Sequence, residues 1–300
     1  DLYIIAERAI ASGGYGWDVL GTARFRQIKK AKITAPIPIE KLPRWDNARV
    51  TRILMEPEKV TKFQPAQIPR FKYLLWWGDT LEEVEENYGK VLAIVPNNWN
   101  FDSVTYLPEL LPYEEEGGHK FSISYSELWN PEWKGRVALQ DEALTVFAEA
   151  ANELDATGQI KIESPYTSLS HEDVDAICEF YKPIVKAGQI RTFWFKYGDC
   201  VNLFTAKECW IGSTWQPICF DIRRAGVPAY YARLVNGPFF WFNGDCPSVH
   251  TPILEHVFKF MNFRLDVWWC AFITRNGYGV ATNEYDDVKA YLGEEAFGWF

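Results

Sequence analysis

Histidine and the motifs of hydrolytic enzymes are scarce in this sequence. The 300 residues include four histidines, and the closest two, His250 and His256, are six positions apart. That spacing does not put both on one helix face, so a zinc site is not expected. A hydrolase would need a Ser or Cys nucleophile beside a base, and no G-x-S-x-G sequence surrounds any serine. The sequence therefore disfavours both zinc binding and hydrolytic catalysis.

Phosphate-binding loops and long apolar runs are also absent from the sequence. Neither G-x-G-x-x-G nor G-x-x-x-x-G-K occurs, which disfavours a nucleotide-binding domain. No run of about eighteen apolar residues is available to cross a bilayer. The first residues, DLYIIAERAI, lack the basic start and small-residue cleavage site of a signal peptide. With 31 Lys and Arg against 40 Asp and Glu, the net charge is -9, so we expect no nucleic-acid partner.

The six cysteines form neither a C-x-x-C pair nor a regular framework. Isolated, mostly buried thiols are favoured over metal ligands or a disulfide scaffold. If the protein is exported, a bridge between Cys200 and Cys209 is an alternative. We expect no metal and no cofactor. The cysteines are Cys178, Cys200, Cys209, Cys219, Cys246 and Cys270.

Helix and strand signals alternate along the chain, which predicts an α/β fold with largely parallel sheets and covering helices. Ser170 and Asp173 predict a capping box at a helix start, and Pro183 is expected to bend or interrupt that helix. Thr251 and Pro252 predict another helix start. Helices are also predicted at 2–11 and 25–30, and the proline-rich run APIPIEKLPRW is expected to be extended. Strands are predicted at 17–21, 91–96, 101–107, 136–139, 190–195, 209–215, 230–234 and 239–242.

The run from 125 to 147, YSELWNPEWKGRVALQDEALTVF, is the most informative part of the chain. A helical turn ends at Asn130 and Pro131, a turn at Gly135 leads into an apolar strand, and Asp141 and Glu142 open the next helix. The order of these elements and the residues that form them strongly resemble the bacterial extracellular solute-binding proteins of ABC transporters, of the spermidine/putrescine type. Four further segments resemble the same family in the same order: GYGWDVL with PIPIEKLPRW, GQIRTFWFKYGDCVNLFTAKECWIGSTWQP, AGVPAYYARLVNGPFFWFNG and NFRLDVWWCAFITRNGYGVATNE.

The resemblance covers about residues 2–283 and implies a two-lobed periplasmic-binding-protein-like fold with a hinge and an interlobe ligand cleft. Lobe one would be 1–106 with 244–300, and lobe two 107–243. The first lobe would lack the family's usual first strand, first helix and second strand, and the region after Asn283 would be shorter than usual. The family implies a non-enzymatic, monomeric protein of the periplasm or cell exterior. It would capture a small organic amine-containing solute and deliver it to a membrane permease.

The resemblance also implies the residues of the cleft. Trp215 and Trp241 match two tryptophans that sandwich ligand, and Trp99 would be a third wall. The loop after the WDVLG strand contributes Thr22, Ala23, Arg24 and Phe25. The helix start facing it contributes Asp141, Glu142 and Thr145. Asn243 follows the strand that carries Trp241.

Two substitutions relative to polyamine-binding members affect the expected ligand charge. Thr145 stands where such members have a glutamate, and Asn243 stands where they have an aspartate, while Arg24 adds a positive charge. A buried cation needs paired acceptors. We therefore expect weak spermidine binding and a ligand with at most one cationic end, such as an amino-acid derivative or an opine-like compound.

Two other functions are compatible with parts of the sequence. A carbohydrate-active enzyme or sugar-binding protein could use the same tryptophans and carboxylates, because aromatic rings stack on sugars. A metal-ion carrier of the related two-lobed class would need converging tyrosines and carboxylates. Tyr230 and Tyr231 are the one adjacent tyrosine pair, and their setting is more typical of a strand.

Overall fold

The computed structural model describes residues 16–22, 32–46, 74–111, 122–164, 166, 168–280 and 285–293, together with positions 8 and 11. The helices predicted at 2–11 and 25–30 lie outside these ranges, apart from the single helical positions 8 and 11. The chain divides into two compact units. Unit 1 is Asp1–Trp99 with Phe242–Phe300, and unit 2 is Asn100–Trp241.

The described residues contain twelve strands and eight α-helices. The strands are β1 (Val19–Thr22), β2 (Ile37–Pro38), β3 (Val91–Leu92), β4 (Val95–Tyr106), β5 (Ser122–Ile123), β6 (Val137–Gln140), β7 (Ile190–Trp194), β8 (Ile211–Trp215), β9 (Tyr230–Tyr231), β10 (Arg233–Leu234), β11 (Phe239–Pro247) and β12 (Gly279–Val280). The helices are α1 (Leu81–Asn87), α2 (Ala143–Ala156), α3 (His171–Lys186), α4 (Tyr197–Thr205), α5 (Gln216–Arg224), α6 (Leu254–Phe263), α7 (Val267–Arg275) and α8 (Tyr285–Leu292). Short 3-10 helices occupy Ile39–Lys41, Tyr125–Trp129 and Pro131–Trp133.

Unit 2 is built on a mixed sheet in the order β9, β4, β8, β6, β7. Strands β6, β7 and β8 are parallel to one another, and β4 runs antiparallel to β8 and β9. In the β4–β8 ladder, Asp102 lies opposite Trp215 and Tyr106 lies opposite Ile211. Successive side chains point to opposite faces, so Asp102, Val104 and Tyr106 share one face of the sheet.

Helices cover both faces of this sheet. On the first face, Val104, Val137 and Ile211 pack with Val146 of α2 and with Tyr125 of the Tyr125–Trp129 helix. The second face is covered by α4 and α5, whose buried residues include Cys200, Phe204, Ile218 and Ile222. Helix α3 packs on the outer side of α2 through Ile177. Burying a large apolar side chain contributes about 1.5–3 kcal/mol, so these two layers supply much of the stability of unit 2.

Unit 1 contains shorter, antiparallel pairings. Strand β1 pairs with β11, β12 pairs with the first half of β4, and β2 pairs with β3. Gly244 of β11 lies so close to β4 that an added Cβ would stand 2.6 Å from the carbonyl oxygen of Val95. Helices α7 and α8 pack with β12 through Cys270, Val280 and Val288.

A buried ion pair lies inside unit 1. Asp245 Oδ1 accepts hydrogen bonds from Arg264 Nη1 at 3.0 Å and from Asn97 Nδ2 at 3.1 Å. The guanidinium of Arg264 also lies 4.8 Å from the ring centroid of Trp269. Burial raises the pKa of Asp245, and the positive charge of Arg264 opposes that rise. The pair fixes the end of α6 against β11.

Most predicted elements occur within one to three residues of their expected positions. The turn at Asn130 and Pro131, strand β6 and helix α2 follow the predicted order, and the Ser170–Asp173 capping box is present. The strand predicted at 17–21 is β1, shifted by one or two residues. Local signals decided these elements, because capping and proline restrictions act over three or four residues.

Pro183 does not interrupt α3, which continues to Lys186, and a bend at Pro183 stays a prediction. Three structural predictions were wrong. Helix α6 begins at Leu254, two residues after the predicted first position, Pro252. The Thr251 hydroxyl donates to Asp18 Oδ1 and accepts from the Ile253 amide, and both residues lie before the helix. The proline-rich run is extended only at β2 and then turns into a 3-10 helix. The strands predicted at 91–96 and 101–107 are divided differently, into the short β3 and the long β4.

The largely parallel sheet is a further wrong prediction. Among the described pairings, β5–β10, β6–β7 and β6–β8 are parallel, and the others are antiparallel. Parallel neighbours need a crossover, which α2, α3 and α4 provide around β6, β7 and β8. Strand β4 enters unit 2 directly from unit 1, without a crossover helix, and runs the other way.

All six cysteines are free, and all but Cys178 are buried. The favoured prediction of isolated buried thiols therefore describes this structure, and no Cys200–Cys209 bridge is formed in it. In the described part of the chain, no helix is both long and apolar enough to cross a membrane.

Candidate functional site

The carboxyl ends of three parallel strands meet at one edge of the unit 2 sheet. Strand β6 ends at Gln140 and leads into α2, β7 ends at Trp194 and leads into α4, and β8 ends at Trp215 and leads into α5. Open α/β sheets bind ligands at this edge, where loops and helix starts converge. We refer to it as the carboxyl edge of unit 2.

Asp102 of β4 lies at the carboxyl edge, directly opposite Trp215 in the β4–β8 ladder. Its side chain is buried, with 2% exposed. Oδ1 accepts a 2.7 Å hydrogen bond from Trp241 Nε1, and the Thr145 side chain lies close enough to lower the pKa of the carboxyl group. Its backbone oxygen accepts a 2.8 Å hydrogen bond from the Tyr125 hydroxyl. A carboxylate is therefore held inside the sheet edge by neutral donors.

The two predicted tryptophans flank this carboxylate. Trp241 bonds it directly, and Trp215 is its cross-strand partner, a pairing that brings Cβ atoms to about 4.5–5.5 Å. Both tryptophans are half-buried. Trp215 is braced by an edge-on contact with Trp194, with ring centroids 5.2 Å apart, and by Tyr197 at 6.4 Å.

Glu142 and Thr145 connect the carboxyl edge to α2. Glu142 is the N-cap residue, and its Oε2 accepts a 2.7 Å hydrogen bond from the Thr145 amide. Thr145 in turn reaches Asp102. Asp141 is exposed, and its amide donates to the Trp194 carbonyl at 2.8 Å. Four predicted site residues, Glu142, Thr145, Trp215 and Trp241, thus come together around Asp102.

A second buried carboxyl group belongs to Glu149 of α2, with 3% exposed. Its Oε1 accepts a 2.6 Å hydrogen bond from the Ser213 hydroxyl of β8, and the nearby Tyr125 hydroxyl lowers its pKa. Ser213 and Trp215 are on the same face of β8, and Ser213 pairs with Val104, two residues along β4 from Asp102. Glu149, which bonds Ser213, therefore lies further from the carboxyl edge than Asp102 does. Two acids are therefore buried side by side in unit 2.

The electrostatics of the two acids follow from their burial. Burial raises the pKa of Asp102 to about 7, against the lowering effect of the hydrogen bonds from Trp241 and Thr145, and the nearby charge of Glu142 raises it further. Burial also raises the pKa of Glu149 well above its ordinary value, and Asp102 adds to this effect. The pKa of Tyr125 and that of Tyr231 are raised by burial as well. Burial therefore favours the protonated form of both carboxyl groups.

Gln140 adds an unpaired acceptor at the same edge. Its side chain is 8% exposed, and its Oε1 has no hydrogen-bond partner among the described residues. A buried amide oxygen without a donor is unfavourable by about 1–3 kcal/mol. Such an atom at the end of β6 is suited to a donor group on a bound molecule.

The remaining predicted site residues are not in unit 2. Trp99 belongs to unit 1, where its Nε1 donates to the Val280 carbonyl at 2.7 Å and its ring lies against Gly279. Asn243 is half-buried in β11 of unit 1. Thr22 ends β1 with its backbone paired to Gly244. Arg24 and Phe25 lie outside the described residues.

Asp102 and Glu149 are the residues that the sequence did not reveal. One signal was available for Asp102, which alternates with Val104 and Tyr106 and therefore occupies a core-facing position of a strand. Glu149 alone gives little signal, because glutamate is common in helices.

Comparison with known proteins supports the resemblance seen in the sequence. No protein-family model matches the chain. The spermidine/putrescine-binding periplasmic protein of Escherichia coli (strain K12) is 27% identical over 150 residues, a match that covers 49% of this chain and 38% of that protein. The matched part is therefore well under half of the curated relative.

Solved structures match nearly the whole chain. A spermidine/putrescine ABC transporter substrate-binding protein from Streptococcus pneumoniae superimposes with a TM-score of 0.66 and 14% identity, covering 98% of this chain and 76% of that one. A periplasmic binding protein from A. tumefaciens B6, in complex with glucopine, gives a TM-score of 0.64 at 13% identity over 99% of this chain and 77% of that one. The chain has the fold of an ABC-transporter substrate-binding protein. The predicted resemblance and the predicted α/β periplasmic-binding-protein-like fold are thus confirmed.

Proposed function

We propose that this protein is the solute-binding component of an ABC-type importer, capturing a small organic amine-containing solute. The observation that carries the proposal is the pair of half-buried tryptophans, Trp215 and Trp241, on either side of the buried Asp102 carboxylate. Aromatic ring faces attract ammonium groups, and a carboxylate supplies the paired charge that a desolvated cation needs.

The relatives agree with this class of ligand. The matched protein of Escherichia coli is named for spermidine and putrescine, and the A. tumefaciens structure holds glucopine. The proposal extends to the other properties implied by the family: a non-enzymatic monomer of the periplasm or cell exterior, with a membrane permease as partner. The predicted lobes, 1–106 with 244–300 and 107–243, would then correspond to unit 1 and unit 2.

Titration calorimetry with a ligand panel tests the function. The panel consists of putrescine, spermidine, 4-aminobutanoate and glucopine, with glucose and maltose as sugars. At least one amine is expected to bind with a dissociation constant of about 10 µM or tighter, whereas the sugars should give no heat. Tryptophan fluorescence should change in the same titration, because Trp215 and Trp241 lie at the site. Binding of a sugar with no amine bound would reject the proposal.

A further inference from the structure

We propose that Asp102 is the residue that receives the ammonium group of the solute, and that a proton leaves the buried carboxyl pair when this group binds. The inference rests on the proposed function of the carboxyl edge of unit 2 and deepens it. It identifies a specificity-determining residue and the chemical group that it recognises.

The hydrogen bonds of Asp102 leave acceptor capacity for a ligand. A carboxylate has about four acceptor positions. Trp241 Nε1 occupies one of them. This donor is neutral, and among the described residues no Lys or Arg forms an ion pair with Asp102 or Glu149. The negative charge of Asp102 is therefore not compensated within the described part of unit 2.

The groups around Asp102 determine how it titrates. Helix α2 contributes Glu142, Thr145 and Glu149, and β8 contributes Trp215. The Tyr125–Trp129 helix contributes Tyr125, β9 contributes Tyr231 and β11 contributes Trp241. Every titratable member of this set is an acid or a tyrosine. In the empty site, burial and mutual repulsion favour the protonated carboxyl forms.

An arriving ammonium group reverses this preference. The positive charge next to Asp102 favours its ionised form, so the carboxyl O–H bond breaks, the proton goes to solvent, and the carboxylate accepts an N–H donor from the ammonium. The ammonium keeps its own protons, because amines of this kind have a pKa near 10. A primary ammonium has three donors, one of which bonds the Asp102 carboxylate. A neutral sugar would release no proton.

Calorimetry in two buffers measures the proton directly. The panel amine that binds most tightly is titrated into wild-type protein in phosphate and in MOPS, whose ionisation heats differ, at pH 6, 7 and 8. Because burial raises the pKa of Asp102 to about 7 in the empty site, we expect more protons to be released per ligand at pH 6 than at pH 8. Equal heats in the two buffers at pH 6 would overturn the inference without any variant.

A matched pair of variants identifies the residue. Asp102→Asn keeps an amide oxygen for Trp241 but removes the charge, and should weaken amine binding at least about thirtyfold and abolish proton release. Asp175→Asn removes an exposed acid of α3, and should change affinity less than about threefold. Wild-type affinity in Asp102→Asn would reject the role of Asp102 while leaving the proposed function intact. Failure of every panel amine to bind the wild type would instead reject the proposed function, and this inference with it.

Discussion

The indole of Trp241 donates a 2.7 Å hydrogen bond from Nε1 to Oδ1 of Asp102, across 139 positions of sequence. This bond fixes the plane of the indole ring and orients one lone pair of the carboxylate. Asp102 is also the strand partner of Trp215, so one buried acid lies next to both tryptophans. The arrangement of the site depends on this residue as much as on the aromatic rings.

Replacing Trp215 or Trp241 by Ala is expected to weaken binding of the panel amine by more than about tenfold, because each ring supplies part of the aromatic surface around the cation. The melting temperature should fall by less than about 4 °C, since both side chains are only half-buried. Calorimetry and thermal unfolding measure the two effects. Trp210→Ala is the control, because Trp210 lies just before the other end of β8 beside Arg136. Loss of binding in the control would show that the effect is not local to the site.

The unfolding free energy should depend on pH through Asp102. Its folded-state pKa of about 7 lies above its ordinary value of 3.8, so the folded protein holds more protons between these values. Stability contributed by the protonated form is therefore lost as pH rises from about 4 to about 7, by an amount on the order of 3 kcal/mol for this fully buried group. Asp102→Asn should stabilise the protein more at pH 8 than at pH 5. Urea unfolding of both proteins at the two pH values measures the difference, and an equal effect at both would contradict the prediction.

Spermidine is expected to bind the wild type more weakly than about 10 µM, because the family resemblance implies that Thr145 and Asn243 stand at positions of acids in polyamine-binding members. The double variant Thr145→Glu, Asn243→Asp should bind it more tightly. Putrescine serves as the shorter comparison ligand in the same calorimetry. Micromolar spermidine binding by the wild type would contradict the prediction and would show that other acids, such as Asp102, already supply the negative charge that Thr145 and Asn243 lack.

The cysteines should be almost unreactive in the native protein. Burial raises the pKa of the Cys209 thiol to about 11 and that of Cys219 to about 12, and it also raises the pKa values of Cys200 and Cys246. Since the thiolate is the reactive form, Ellman's reagent at pH 7.5 should label Cys178 alone, and all six thiols in urea. A count of four in urea, without reductant, would indicate the alternative Cys200–Cys209 bridge.

Local sequence signals predicted the fold well where a few neighbouring residues decide the structure. Asn130 and Pro131 end a helical turn, Glu142 caps α2, and Ser170 with Asp173 starts α3. Trp215 directly precedes a helix start at Gln216 and Pro217, as the sequence indicated, and its part in ligand binding stays a prediction. Each of these signals acts within one turn of the chain.

The features that could not be predicted from the sequence depend on contacts between residues far apart in the chain. The sequence around Asp102 does not distinguish it from an ordinary polar residue. In the folded chain, β8 and β11 bring Trp215 and Trp241 beside it. Likewise, the direction of β4 depends on how the chain enters unit 2, which no short pattern encodes. The start of α6 shifted because Thr251 is bonded to Asp18, more than 200 positions away.

The ion pair of Asp245 and Arg264 has a consequence for how this chain can diverge. Asp245 Oδ2 and Arg264 Nε have no hydrogen-bond partner among the described residues. The charge of each residue is therefore balanced by that of the other, through the Nη1–Oδ1 contact. Removing one partner from a buried pair is unfavourable by about 3–5 kcal/mol, whereas exchanging both for apolar residues is often neutral. Single substitutions at either position would thus be strongly selected against. The two sites are expected to change together, as a linked pair, in the descendants of this gene.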